Sequence, residues 1–422
     1  MSQQAATPSS LRALGWIVTL AGLGINLALG VLYTWSVISK AIPPEWGWSE
    51  TARSLPYSIA VLLFSLMMVP GGRIQDRFGP RTAATLGGIL VGLGFILSSF
   101  TTSPVGWMVG FGILVGSGIG FAYSAPIPAA VKWFPPQQTG MISGIVVSGF
   151  GLASLYAAPL TQALIGALGI SGTVLVLGIA FLAIIVGLAQ LLILPPPEYR
   201  ALIASTGSPQ ASGSTSASLS PEFSPGEVLR SPSFYMMWFM YACGAGAGLM
   251  IISKLASIGE VQAGLKLGFV LVAALALGNG LGRVITGILS DYIGRQRTLL
   301  GCFIFQAVLI GLLSTITKDS PLAHPVVMCL ISALIGANFG ANLALFPAAA
   351  KDYYGLKHFG ANYGMLFTAY GVGGFSLALA AGRLYDVYQS YTPSYLLAGA
   401  LLIAAAVCTV LLPKPKKIGL AA

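Results

Sequence analysis

The chain has 422 residues, 56% of them hydrophobic and only 8% charged, with a formal net charge of +10. A soluble domain carries about 25% charged residues, so the composition excludes a soluble catalytic domain and indicates a polytopic membrane protein. The basic residues are scattered among short loops rather than gathered on one face, which argues against a nucleic-acid partner.

Residues 1–13 form a polar tail, and the apolar stretch from Leu14 to Ile38 is too long for the core of a cleavable signal. Twelve apolar runs follow, centred near residues 26, 62, 92, 118, 152, 182, 245, 277, 308, 337, 373 and 402. Each is long enough to span a bilayer as a helix. Between the sixth and seventh, residues 195–232 open with Pro195-Pro196-Pro197 and become Ser/Gly/Thr-rich through Ser220. Such a composition cannot bury a core and predicts a flexible linker. The expected organisation is a cytoplasmic tail (1–13), a six-helix bundle (14–194), a linker (195–232), a second six-helix bundle (233–412) and a basic tail (413–422).

A repeat supports two related halves. Gly72-Arg73-Ile74-Gln75-Asp76-Arg77-Phe78-Gly79 returns as Gly287-Ile288-Leu289-Ser290-Asp291-Tyr292-Ile293-Gly294, and 287 − 72, 291 − 76 and 294 − 79 all equal 215. Gly140-Met141-Ile142-Ser143-Gly144 returns as Gly360-Ala361-Asn362-Tyr363-Gly364, an offset of 360 − 140 = 220. Duplicated six-span halves predict pseudo-twofold architecture, with a substrate site at their interface near the bilayer midplane. With the N-terminus inside, fourteen of the 21 Lys and Arg residues fall in cytoplasmic segments, so both termini are expected in the cytoplasm.

The four cysteines sit in apolar runs without a Cys-x-x-Cys, and His324 and His358 lie near loops 34 residues apart. No metal site, cofactor site or nucleophile–base pair emerges, and an enzyme is not expected.

The residue that stands out is Arg283, in the apolar run from Leu265 to Leu289. It lies eight residues before Asp291 (291 − 283 = 8), which opens the next polar loop. Eight helical residues are about 12 Å, which puts the charge near the middle of a roughly 30 Å core. A cation there costs at least about 2.5–3.5 kcal/mol and is tolerated where it faces a cavity and binds something. Its planar fork of donors matches a carboxylate. Asn279 shares its helix face at i, i+4. Gly278, Gly280 and Gly282 either make room for a ligand or let helices pack closely.

The Gly-x-x-x-Asp-Arg-x-Gly loop at Gly72–Gly79 and its weaker copy resemble the signature of the major facilitator superfamily. The resemblance covers about residues 14–412. Pro80 stands where a basic residue is usual, and Tyr292 replaces the arginine of the second copy. The resemblance implies an all-α fold of twelve transmembrane helices in two pseudo-symmetric six-helix bundles. It also implies that Gly72, Asp76, Arg77, Asp291 and Arg295 belong to loops that pin helices in one conformational state. Asp76 and Asp291 are suited to capping helix ends and meeting nearby arginines.

Finer features are similar to the prokaryotic oxalate:formate antiporter and monocarboxylate transporter branch. They are Leu29–Ser36 in the first span, Trp46-Gly47-Trp48-Ser49 after it, Lys132-Trp133-Phe134-Pro135 after the fourth, and Phe367–Gly374 in the eleventh. The resemblance aligns Arg283 with that branch's carboxylate-binding arginine and adds Tyr33 and Tyr123 as substrate-site candidates, while Phe339 in span ten, with Tyr363 and Tyr370 in span eleven, gives a wall that suits a short organic acid. Asn338 and Asn342 extend that wall. Animal monocarboxylate transporters carry an aspartate where this chain has Asn279, so their proton coupling does not transfer. The antiporter's second cation is matched by Tyr370, and a single central cation argues for a monoanion.

Glu260, 23 residues before Arg283 (283 − 260 = 23), is the expected proton-coupling partner of Arg283, or else a solvated loop residue. The resulting expectation is an inner-membrane transporter, functional as a monomer, that moves a small monocarboxylate such as lactate or pyruvate with a proton. The alternative is an organic-anion exchanger of the oxalate:formate type.

Overall fold

The computed structural model describes residues 8–206, 222–265 and 268–415, which are helical apart from short turns. A span in lipid has to be helical or part of a closed barrel, because its backbone N–H and C=O groups find no water there. Among the described residues, eleven segments are long and apolar enough to cross a bilayer. One of them, Pro136–Ala189, has 54 residues, far more than a single crossing needs. Its long helix breaks at Gly169, where φ is 67°. That segment therefore crosses twice, and the eleven segments supply twelve spans.

We number them α1 (Leu11–Ala41), α2 (Glu50–Phe78), α3 (Pro80–Ser99), α4 (Pro104–Val131), α5 (139–168), α6 (170–189), α7 (Pro232–Ser257), α8 (Gly268–Ile293), α9 (Arg295–Ser314), α10 (Pro325–Tyr354), α11 (Phe359–Tyr388) and α12 (Thr392–Leu411). Spans α1–α6 and α7–α12 make two bundles. They meet along two seams, α2 on α11 and α5 on α8.

The repeated loops end in glycine for a backbone reason. Gly79 and Gly294 take φ of 90° and 92°, a region costly for residues with a Cβ. Each ends one span and begins the next, so α2 runs into α3, and α8 into α9, with almost no loop. The glycines at the seams have a packing reason. A Cβ on Gly72 would collide with the Gly360 carbonyl, and one on Gly140 with the Gly287 carbonyl. Backbone thus meets backbone at the end of the molecule where the linker attaches, called the linker end below.

Packing also accounts for the glycines around Arg283. Gly278 and Gly282 of α8 lie against Ala333 and Ala337 of α10, and Gly336 and Gly340 of α10 lie against Leu275 and Asn279. These are small-residue contacts between neighbouring helices. Gly280 faces Leu152 of α5 instead.

Among the described residues, three spans depart from α-geometry. The first has a 3₁₀ turn at Gly30–Thr34, the fourth is π-helical over Met108–Val115, and α7 runs on into a π turn at Ile258–Gln262. Interruptions of this kind often mark hinges or sites. At the end opposite the linker, indole N–H groups tie the first bundle's loops. Trp48 donates to the Thr102 carbonyl (2.8 Å), Trp107 to Thr101 (3.0 Å) and Trp35 to Arg53 (3.0 Å).

The last linker residues form a strap. The Phe223 N–H donates to the Tyr354 carbonyl (3.0 Å), and its carbonyl accepts from Asn362 Nδ2 (3.0 Å). The Glu222 carboxylate accepts from the backbone N–H groups of Leu356 (3.3 Å) and Lys357 (2.7 Å). Phe223 is buried, so this part of the linker packs on the protein rather than behaving as free chain.

Candidate functional site

Arg283 lies fifteen residues into α8 (283 − 268 = 15) and is fully buried. Its Nε donates to Asn279 Oδ1 at 3.1 Å. One terminal nitrogen donates to the Val147 carbonyl of α5, across the seam, and the other has no partner among the described residues. Asn279 is thus an acceptor for Arg283 rather than a separate donor beside it. The guanidinium rests against Gly151 of α5, where a Cβ would stand 3.1 Å from Nε and 3.2 Å from Cζ. All these partners are neutral, so the charge keeps its full demand for an anion.

Rings from both bundles close the space beside it. Phe367 of α11 is their hub, with centroids 5.1 Å from Phe64, 5.5 Å from Tyr123, 5.0 Å from Tyr370, 5.7 Å from Tyr363 and 6.0 Å from Tyr241. Phe150 of α5 stands 5.5 Å from Tyr123. Phe339 of α10 joins through Tyr370 at 6.3 Å. Tyr241 and Tyr363 are within electrostatic reach of Arg283 and of Tyr123. None of Arg283, Tyr123, Tyr241, Tyr363 or Phe367 is more than 1% exposed. Admitting a ligand therefore requires the rings, and with them the two bundles, to part.

The structure brings Arg283, Asn279, Tyr123, Phe339, Tyr363 and Tyr370 to one region. Asn338 and Asn342 spend their amide N–H groups on carbonyls of their own helix, at 3.0 and 2.9 Å. The side chain of Tyr33 lies outside the described residues; its backbone is in the 3₁₀ turn of α1. Glu260 lies apart from this cluster. It is exposed on the π turn beyond α7, whereas Arg283 is about 22 Å along α8 from that helix's start. Sequence reasoning missed Tyr241, Phe64, Phe150 and the Val147 carbonyl. Aromatic residues in spans carry no distinguishing pattern, and a main-chain acceptor has no sequence signal.

The two repeated aspartates act at the linker end. Asp76 accepts the backbone N–H groups of Gly360 (3.0 Å) and Ala361 (2.8 Å), which open α11. Asp291 accepts those of Gly140 and Met141, both at 2.8 Å, which open α5. Each carboxylate meets the unsatisfied N–H groups and positive dipole end of a helix in the opposite bundle. The arginine partners differ. Arg295 pairs with Asp291 at 2.6 Å and with Asp352 at 3.0 Å. Arg77 is exposed and lies over the Phe78 ring, 5.1 Å from its centroid. Lys351 bonds Asp352 (3.1 Å) and, across the seam, Thr139 Oγ1 (3.1 Å). Burial pushes the Lys132 ammonium below its usual 10.5, opposed chiefly by the Asp76 carboxylate.

The family model for the Major Facilitator Superfamily matches residues 14–270 and 251–421. The chain belongs to that superfamily. Among superfamily relatives, an MFS-type transporter of Escherichia coli K12, YhjX, is 26% identical over 371 residues, 87% of each chain. The oxalate:formate antiporter of Oxalobacter formigenes is 26% identical over 354 residues, covering 83% of this chain and 80% of that one. Human monocarboxylate transporter 11 is 24% identical, covering 95% and 83%. In fold, the chain is similar to the E. coli fucose:proton symporter FucP, with a TM-score of 0.70 at 14% identity, covering 94% of this chain and 98% of that one. The chain is a multi-pass membrane transporter of the superfamily, not an enzyme.

Proposed function

We propose that this transporter moves a small monocarboxylate by alternating access, with the carboxylate held on Arg283. The observation that carries this reading is a buried guanidinium at the seam between the bundles that has, among the described residues, neutral partners only and one donor nitrogen unused. The surrounding rings suit a short apolar body beside the charged group. Similarity to the oxalate:formate antiporter and to monocarboxylate transporters supports an organic-anion substrate. The linker end is assigned to the cytoplasm of a cell or inner membrane, on the distribution of Lys and Arg. The bundles are assigned to 14–194 and 233–412, and the monomer is the working unit.

Two coupling modes follow. In symport a proton accompanies the anion; Glu260, exposed beyond α7, then takes part at the entrance and not beside Arg283. In exchange one anion returns for another. The neutral surroundings of Arg283 favour exchange. Every Asp and Glu lies in a loop, the linker or a terminal turn of a span, so none sits at the depth of the arginine to neutralise it when substrate leaves. An unpaired buried charge is costly, and the empty carrier reorients less readily than the loaded one.

Uptake of labelled L-lactate into proteoliposomes tests both. Accumulation driven by an inward proton gradient and abolished by a protonophore identifies symport. Uptake only into vesicles preloaded with an anion identifies exchange. Arg283→Ala should lose binding as well as uptake, and retained affinity overturns the site.

A further inference from the structure

The ring cluster contains one residue whose chemistry packing does not account for. Tyr241 of α7 is fully buried, stacked on Phe346 of α10 with centroids 4.3 Å apart and planes at 13°. It also stands edge-on to Phe367 at 6.0 Å. A phenylalanine would make the same ring contacts without carrying a hydroxyl into the membrane interior. That hydroxyl approaches the Tyr363 hydroxyl of α11, and neither has a hydrogen-bond partner among the described residues. Two buried phenols without such partners leave their O–H donors and oxygen lone pairs unused. A buried polar group left in that state calls for a partner that arrives later.

The location says what kind of partner. Tyr241 lies nine residues from the linker-end start of α7 (241 − 232 = 9), and Arg283 lies ten from the linker-end terminus of α8 (293 − 283 = 10). At 1.5 Å per residue the two stand at about the same depth. Tyr363, four residues into α11 (363 − 359 = 4), is nearer the linker end. Both phenols are within electrostatic reach of the guanidinium. An anion docked on Arg283 therefore has a pair of neutral hydroxyls beside it, on the C-terminal bundle, and an apolar wall of Phe64, Phe150 and Phe367 from both bundles.

We infer that Tyr241, acting with Tyr363, is a specificity-determining contact that hydrogen-bonds an oxygen on the carbon next to the substrate carboxylate. The inference rests on the proposed role of Arg283 and goes beyond it by selecting among acids. An oxo oxygen accepts the spare phenol proton, and a hydroxyl both accepts and donates. A plain short acid such as propionate offers only a methylene there and leaves the phenols unmatched. A site that hydrogen-bonds a substrate oxygen discriminates against the analogue lacking it.

The test is Tyr241→Phe in the full chain, reconstituted in proteoliposomes, with inhibition of labelled L-lactate uptake by unlabelled L-lactate, pyruvate and propionate. The variant keeps the stack on Phe346. Half-inhibiting concentrations of L-lactate and pyruvate should rise by about tenfold, the value of one hydrogen bond, while that of propionate stays within about twofold. Tyr363→Phe should move the ratio in the same direction, which keeps the test open if one variant fails to assemble. An unchanged ratio in a variant that still transports overturns the role of Tyr241. A wild-type protein that neither takes up L-lactate nor is inhibited by any of the three acids overturns the monocarboxylate reading, and this inference with it.

Discussion

The two seams at the linker end are built on one plan and reinforced differently. At α2–α11, Asp76 holds the first N–H groups of α11, and the backbones of Gly72 and Gly360 touch. At α5–α8, Asp291 holds the first N–H groups of α5, and Gly140 touches Gly287. Among the described residues, only the second seam adds a charge network, running from Asp291 through Arg295 and Asp352 to Lys351 and back across to Thr139. The first has Lys132 facing Asp76 electrostatically and the strap of Glu222 and Phe223 behind α11. The lesson is that duplication preserved the backbone contact, which needs glycine and a carboxylate, while the side chains around it diverged.

The strongest way to break the comparison is to attack what the seams share. Gly72→Val or Gly140→Val places side-chain atoms where backbone now sits. Overpacking of that kind costs about 1–3 kcal/mol or more. A cysteine in place of buried Ser143, in a chain with its four native cysteines replaced, should then react with a maleimide at least about tenfold faster from the linker side. Equal labelling of variant and parent would mean the glycine contacts do not hold the end closed.

The aspartates sharpen the contrast. Asp76→Asn and Asp291→Asn each weaken a pair of charge-assisted hydrogen bonds worth about 1.5–3 kcal/mol each before compensation. Asp76→Asn should open its seam more, because the Lys351–Thr139 bond still ties α10 to α5 when Asp291 is neutral. Hydrogen exchange at the first amides of α11 and α5, compared between the two variants, reads this directly. The reverse order would show that the charge network contributes little.

The smallest effect is a pH dependence confined to the first seam. Lys132 has its pKa lowered by burial from 10.5. While protonated, below that lowered value, it disfavours the buried arrangement; the penalty is relieved as pH rises through the lowered value towards 10.5. Thermal stability in detergent should therefore rise with pH in that alkaline window in the parent, and less so in Lys132→Met.

Much of this was legible in sequence because it is periodic or chemically conspicuous. The apolar runs marked the spans, the 215-residue offset paired Asp76 with Asp291, and an arginine in mid-span marked the centre. What Asp76 and Asp291 hold was not legible, since their partners are backbone amides 284 and 151 positions away in the chain. Tyr241 was hidden among many span aromatics. Glu260 drew notice as an acid near a span, but a π turn places it beyond the end of α7 and in solvent. The glycines beside Arg283 could be read as ligand clearance or as helix packing, and only the neighbouring positions of Ala333 and Ala337 decide for packing.

The neutral setting of Arg283 has an electrical consequence. On the function proposed above, a monoanion seated on it forms a complex with no net charge, so the membrane voltage does no work on the loaded centre as the bundles rock. Empty, the same centre carries one elementary charge, on which each 100 mV acts with up to about 2.3 kcal/mol, scaled by the fraction of the field it crosses. One-for-one anion traffic is then electrically silent, and the return of the vacant protein is the only half of the cycle that the cell's potential can hasten or hold back.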